Sequence, residues 1–392
     1  MQLKEWSKIK YMESKKKLVW ITFNAFIDTD LYIVRELVRY YDITWYVLKS
    51  GNDKFEYVKE IDELSKNSGI EVNKLQCGAR LRSLSCFMFY KKLLKEIAHI
   101  HPDVIYSSLA GAPYFIPVLA MTSDKKKIAL AIHNVHVPKG GSAYYFFKLY
   151  NSLAIKSFYN YQTFSKDQYN LLKSLIPKKN VCHIPFILKD YGAPQGQREG
   201  RAITFLNFGN VREYKRIDVL IEAAQLAFEE TNQRFRVIIA GKCDTWDKYQ
   251  SMIRYPELFE LHIERIANEN IPELFLEADY FVAPYQDIAQ SGSSVVAINY
   301  SVPIIASRLP AFEEFIEDGV TGRLIDPADV TSLKQVMVDI IKTNNAGYSE
   351  MVKALEEKRN ECFSVTAVVN QYKEFINGVA ETNNMASAGR RT

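Results

Sequence analysis

The sequence predicts an α/β protein made of two doubly wound halves that face each other across a cleft. Three observations lead there. Short apolar runs alternate with longer stretches of helical periodicity, the pattern of βαβ units on parallel sheets. The 392 residues exceed what one ordinary core organises, which argues for two domains. Between the two series of alternation lies Lys189–Arg201 (KDYGAPQGQREGR), whose Gly, Gln and charge are those of a linker.

The first half opens on Lys15-Lys16-Lys17 and an apolar run from Leu18. That run breaks at Asn24 and meets Asp28 and Asp30, so it is too short for a signal or spanning segment and reads as a first buried strand. Further strands are expected at Ile43–Leu48, Val104–Leu109, Ile128–His133, Tyr161–Ser165 and Val181–Phe186, with helices such as Leu31–Tyr40 and Tyr144–Ser157 between them. After the linker the alternation restarts with strands at Ile203–Gly209, Phe235–Gly241, Asp279–Pro284 and Val302–Ser307. From Val330 the pattern is helical to about Gly378. The expected division is a domain over 1–188, a linker over 189–201 and a second domain over 202–362. A helix over 363–378 is expected to pack back on the first domain, and a tail over 379–392 to be disordered.

The formal charge of +4 is small for this length and does not suggest nucleic acid as a partner. Five scattered cysteines, odd in number and without ligand spacing, fit a reducing, cytoplasmic setting and no zinc site. No stretch has the length of a membrane span.

Two turns of the second half carry candidate chemistry. In FGNVREYKRIDVLIEAA (Phe208–Ala224) a strand ends at Gly209, and the turn after it presents Arg212 and Lys215, two cations able to neutralise a diphosphate. In APYQDIAQSGSSVVAINY, residues Gln290, Ser291, Gly292 and Ser293 precede a helix whose first amides can bind phosphate oxygens. Alone, the first reads better as a solvated basic turn, and the second is a weak signal beside an ordinary serine cap. Their order and separation make them informative.

At this point the chain resembles the retaining family-4 glycosyltransferases of GT-B fold. The resemblance rests on FGNVREYKRIDVLIEA, IIAG, LFLEADYFVAPY, SVPIIAS and EEFIEDGVTGRLIDP, which cover about Ile203–Pro327 in the family's order. It implies two Rossmann-like domains around a central cleft. It also implies a nucleotide diphosphate sugar as donor, and no metal or other cofactor. Arg212 and Lys215 match the family's diphosphate-contacting pair, and Ser291 and Gly292 its glycine-rich donor loop. Glu314 matches the segment after the next strand, which is mainly structural and is a possible cleft residue here. In the first half, IALAIHNVHVPKGG places His133 where the family's strand-end His reaches the donor sugar, with His136 a second cleft candidate. The first turn has Asn24 and Ala25 in place of the family's glycine pair, which leaves Asn24 a possible cleft residue.

The chain departs from the family at two glutamates, normally eight positions apart (E-x7-E). Counted from Pro303, their places hold Ile288 and Val296. The loop resembles instead a sub-pattern of the family with Gln-Ser-Gly there, and Gln290 has the acceptor and donors to hold sugar hydroxyls. Asp28-Thr29-Asp30 spells the D-x-D string of metal-dependent glycosyltransferases, but its place before a helix makes it an ordinary N-terminal cap.

The acceptor implied is a saccharide or lipid-linked saccharide of bacterial surface-polysaccharide synthesis. CGARLRSLSCFMFYKKLLKEIAHIH (Cys77–His101) mixes Arg80, Arg82, Lys91, Lys92 and Lys95 with aromatic residues, and Ser142–Tyr161 is similarly aromatic. Such helices fit a peripheral contact with the inner membrane face, or simply a packed helix with solvated lysines. Two readings outside transfer stay open. One is a catalytically inactive GT-B pseudoenzyme that serves as a binding subunit of a polysaccharide-assembly complex, which the missing glutamates favour. The weaker is an epimerase of the same fold, for which no carboxylate acid/base set is found.

Overall fold

The computed structural model describes residues 15–50, 55, 57–80, 83–109, 112–135, 144–196, 202–288 and 290–388. Two parallel sheets organise it. The first contains β1 (Lys17–Phe23), β2 (Asp42–Ser50), β3 (Glu71–Cys77), β4 (Val104–Ser108), β5 (Ile128–Ile132), β6 (Asn160–Thr163) and β7 (Asn180–His183). Its seven strands lie in the order β3-β2-β1-β4-β5-β6-β7. The second contains β8 (Thr204–Phe208), β9 (Arg236–Ala240), β10 (Phe259–His262), β11 (Tyr280–Ala283), β12 (Ile304–Ser307) and β13 (Gly322–Ile325), in the order β10-β9-β8-β11-β12-β13. Strand order therefore reverses between β1 and β4 in one sheet and between β8 and β11 in the other. In open parallel sheets ligands settle outside the carboxyl ends of the strands at such a reversal. The turns after β8 and β11 are those that carry Arg212, Lys215 and Gln290–Ser293.

Each sheet is apolar on both faces because helices cover both. On the first, Leu93, Leu94 and Ile97 of the helix Leu84–His99, with Ile116 and Leu119 of Phe115–Thr122, close one side. The helix Ile27–Leu37 and the last helix close the other. On the second, Ile217–Thr231 and Val330–Lys342 cover one side, and Ile271–Glu277 and Gly292–Asn299 the other.

The last helix runs Val365–Ala388. It buries Val368, Tyr372, Ile376 and Val379 among Leu18, Trp20 and Tyr106 of the first sheet. It continues past Gly378, where the sequence suggested disorder. Val379 and Ala380 are buried there, and apolar contact holds the helix beyond the point at which local composition turns polar. Strands β3, β10 and β13 were not expected. All three are edge strands, and β3 (EVNKLQC) is polar and half-exposed, so it lacks the apolar run that marks an interior strand.

Beneath the first helix lies a buried polar chain. Trp45 Nε1 donates to Thr22 Oγ1 (2.8 Å), and Thr22 Oγ1 donates to Asp30 Oδ2 (2.7 Å). Asp30 is 2% exposed, and burial pushes its carboxyl up to about 7 against the opposing pull of the Thr22 hydrogen bond.

Candidate functional site

The carboxyl-terminal domain brings its two candidate turns together at one point. Gly209, directly after β8, has φ +100°, in the region that favours glycine. A Cβ there would lie 2.6 Å from Ser293 Oγ and 3.1 Å from Lys215 Nζ. Gly241, after β9, is needed for the same approach, since its Cβ would meet the Gly209 carbonyl oxygen at 2.3 Å. Lys215 sits in a 3-10 turn (Glu213–Lys215) that stops at Arg216, whose left-handed backbone (φ 51°) begins the helix Ile217–Thr231. The Lys215 ammonium is buried, 3.5 Å from the Phe208 carbonyl oxygen and 5.6 Å from the centre of the Tyr285 ring. Burial, reinforced by the nearby Arg212 guanidinium, pulls its pKa down to about 8. Arg212 itself is exposed at the start of the turn.

Ser291 caps the helix Gly292–Asn299 by accepting from the Ser294 amide (3.2 Å) and the Ser294 hydroxyl (2.8 Å). The amides at the start of this helix are thereby presented toward the cleft end of β11. Gln290 lines the cleft, and its Nε2 is buried without a hydrogen-bond partner. Ile288 lines the cleft too, whereas Val296 is sealed in the apolar core with Ile298 and Phe312.

The cleft between the domains measures about 1220 Å³. Its amino-terminal wall is built from turns at the carboxyl ends of β1, β4, β5 and β6, including Phe26, Asp28, Leu109, His133 and Gln168. His133 is clamped between Phe26 (ring centres 4.1 Å apart) and Phe164 (4.4 Å), both nearly parallel to it. Burial lowers its pKa to about 3, so the imidazole is neutral, and its Nε2 is buried without a partner. Asn24 opens the 3-10 turn Asn24–Phe26 that follows β1. His136 lies outside the described residues.

Glu314 is not among the residues lining the cleft. Its carboxylate accepts from the Lys166 amide (2.9 Å) and lies 2.9 Å from His183 Nε2, so it ties the second domain to the first. Replacing Glu314 by alanine should loosen this tie, with a radius of gyration larger by X-ray scattering and a melting temperature lower by a few degrees. An unchanged scattering curve would show that the tie is dispensable. Nor do Asp28 and Asp30 cap the helix Ile27–Leu37, because the cap residue is Phe26 and they fall in the first turn. They also diverge. Asp30 turns into the core toward Thr22, and Asp28 turns to the cleft and pairs with Lys189. By composition Lys189 is the first residue of a spacer, yet in the fold it is buried and lines the cleft. Linker composition hid it, since nothing local distinguishes a lysine on a spacer from one at a domain crossing.

Among the described residues, no group of three or more His, Cys, Asp or Glu side chains is arranged to hold a metal ion. None of their helices is long and apolar enough to cross a membrane.

Residues 202–343 match the family described as Glycosyl transferases group 1. A curated relative, the "Uncharacterized 41.2 kDa protein in cps region" of Klebsiella pneumoniae, is 24% identical over 173 residues. The match takes in 43% of this chain and 45% of that protein, so the chain spans less than half of the relative's length. Solved structures of similar shape include a glycosyltransferase from Rickettsia africae (TM-score 0.70, 14% identity, 93% of this chain and 98% of that one). Sucrose-phosphate synthase from Thermosynechococcus elongatus is also similar (TM-score 0.73, 13% identity, 94% and 100% covered). So is HepE of Anabaena in complex with UDP (TM-score 0.72, 16% identity, 93% and 100% covered). At these identities the likeness establishes the fold, two Rossmann-like domains in the GT-B arrangement.

Proposed function

We propose that this protein, whose residues 202–343 match the glycosyl transferases group 1 family, is a retaining glycosyltransferase. It moves a sugar from a nucleoside diphosphate sugar to a saccharide or lipid-linked saccharide acceptor in surface-polysaccharide synthesis. The name of the Klebsiella pneumoniae relative, which places that protein in a cps region, agrees with this setting. The observation that carries the reading is the meeting of Gly209, Lys215 and Ser293 at the sheet's point of reversal. A buried ammonium, a helix start and a glycine that admits close approach together suit a diphosphate.

In this reading Lys215, Arg212 and the amides of Gly292 and Ser293 hold the leaving diphosphate, without a metal ion. Gln290 supplies hydrogen bonds to donor hydroxyls, and neutral His133 shapes the sugar pocket from the opposite wall. The acceptor hydroxyl attacks on the face the leaving group vacates. It gives its proton to the departing phosphate oxygen, and rate comes from positioning and electrostatic support. Acceptor and membrane contact belong to the first domain. There Leu84 and Met88 stand exposed on the helix that carries Lys91, Lys92 and Lys95, and Tyr145 and Leu149 stand exposed on Tyr144–Ser157. Apolar side chains beside lysines suit an anionic lipid surface.

A second reading, a binding subunit without turnover, draws on Ile288 and the sealed Val296, which leave both glutamate places without a hydrogen-bond acceptor. A thermal-shift series with UDP, GDP, ADP and dTDP, with and without EDTA, tests the donor site. A shift with one diphosphate, unchanged by EDTA, is the expected result, and no shift with any of them would overturn it. Release of free sugar or transfer to acceptor from the matching nucleotide sugar then separates enzyme from binding subunit.

A further inference from the structure

We propose that Lys189 is a third positioning cation for the donor diphosphate, held in place by Asp28 across the domain junction. The inference rests on the donor site proposed above and adds to it a residue from outside the second domain's own turns.

Lys189 is 7% exposed, a degree of burial at which a lysine is usually paired with an anion. The partner is Asp28, in the first turn of the helix after β1, whose side chain keeps 36% of its exposure. The two residues are separated by 161 positions and meet where the chain crosses between domains. The ammonium does more than close this pair. It lies 3.9 Å from where a Cβ on Gly292 would stand, at the first residue of the helix Gly292–Asn299. The start of a helix carries partial positive charge, so a cation placed there is opposed by the dipole unless an anion joins it. Asp28 answers the ammonium from one side only. An anion seated on the helix amides would answer it from the other, and would also receive Lys215 through Ser293 and Gly209.

Two further observations turn this junction toward a ligand. Gln290 Nε2, two residues before Gly292, and His133 Nε2 are both buried without partners and line the same cleft as Lys189 and Asp28. A plain inter-domain strut would not need to stand at a helix start among unpaired hydrogen-bonding groups. Lys189 touches no reacting atom in this proposal. It fixes where the diphosphate sits and couples that position to the first domain through Asp28.

The test is calorimetric titration of the full chain with UDP and with inorganic pyrophosphate, for the wild type and for Lys189→Met, Lys189→Arg and Arg212→Ala. Uridine, followed by ligand-observed NMR, is the phosphate-free control. Loss of a charged contact to phosphate should weaken UDP and pyrophosphate by roughly ten- to a hundredfold in Lys189→Met. Uridine should be unaffected, and Lys189→Arg should recover binding to within a few-fold of wild type. If Lys189→Met fails to fold, Lys189→Gln keeps a donor to Asp28 without the charge and carries the same expectation. Wild-type affinity in Lys189→Met beside weakened binding in Arg212→Ala would make Lys189 a strut and overturn this inference alone. A loss shared by uridine, or not recovered by arginine, would also overturn it. Failure of the wild type to bind either phosphate ligand would overturn the donor site itself.

Discussion

An Arg212→Ala/Lys215→Ala double variant is expected to lose transfer by roughly a thousandfold or more while keeping its melting temperature within a few degrees. The expectation follows from what the two cations face. Lys215 is buried and has no carboxylate partner among the described residues, and its pKa has fallen to about 8 through burial and the charge of Arg212. A phosphate brought to it removes that penalty, so the ammonium is stabilised most when the leaving group carries most charge. A pH signature separates this role from packing. Without ligand Lys215 loses its proton through about pH 8, so UDP affinity should fall by roughly tenfold from pH 7 to pH 9, with proton uptake on binding near pH 8. Lys215→Met should bind weakly and show no such slope. Full turnover in the double variant would remove both residues from the donor site.

Asp30→Asn is expected to make the protein more stable at pH 8 and to flatten its stability profile between about pH 4 and pH 7. The folded protein raises the Asp30 carboxyl from 3.8 to about 7 because the group is buried. Between these values the folded state keeps a proton that the unfolded chain has released. Stability is therefore greatest below the unfolded value and declines as pH rises through the window, by about 1.4 kcal/mol per pH unit at most. Above the folded value the loss is complete. Asparagine keeps the acceptor for Thr22 and carries no charge to bury. Chemical denaturation at pH 4.5, 6 and 8 measures the slope. A wild-type stability that does not fall across that range would show that Asp30 is ionised without cost in the fold.

What local sequence determined about this protein is its alternation and its turns. Apolar runs marked the interior strands, Gly209 marked a strand end, the Ser- and Gly-rich run from Gln290 marked the approach to a helix, and Arg212 and Lys215 stood out as cations on one such turn. These features are set by residues within a few positions of one another, so neighbouring letters suffice to read them. Three of the four edge strands, β3, β10 and β13, escaped because one open side lets polar residues in, as in EVNKLQC of β3. The last helix runs further than its local pattern indicates, because what holds Val379 is the first sheet and not its sequence neighbours. Tertiary structure alone decided which side chains meet. It brought Ser293 and Lys215 to Gly209 and clamped His133 between Phe26 and Phe164. It assigned Glu314 to a tie between domains, and it drew Lys189 out of an apparent spacer to pair with Asp28. Those pairings depend on strand order and on how two domains face each other, distances that no local pattern encodes. The same holds for the ionisation of Asp30 and Lys215, because burial is a property of the folded surroundings and not of the residue.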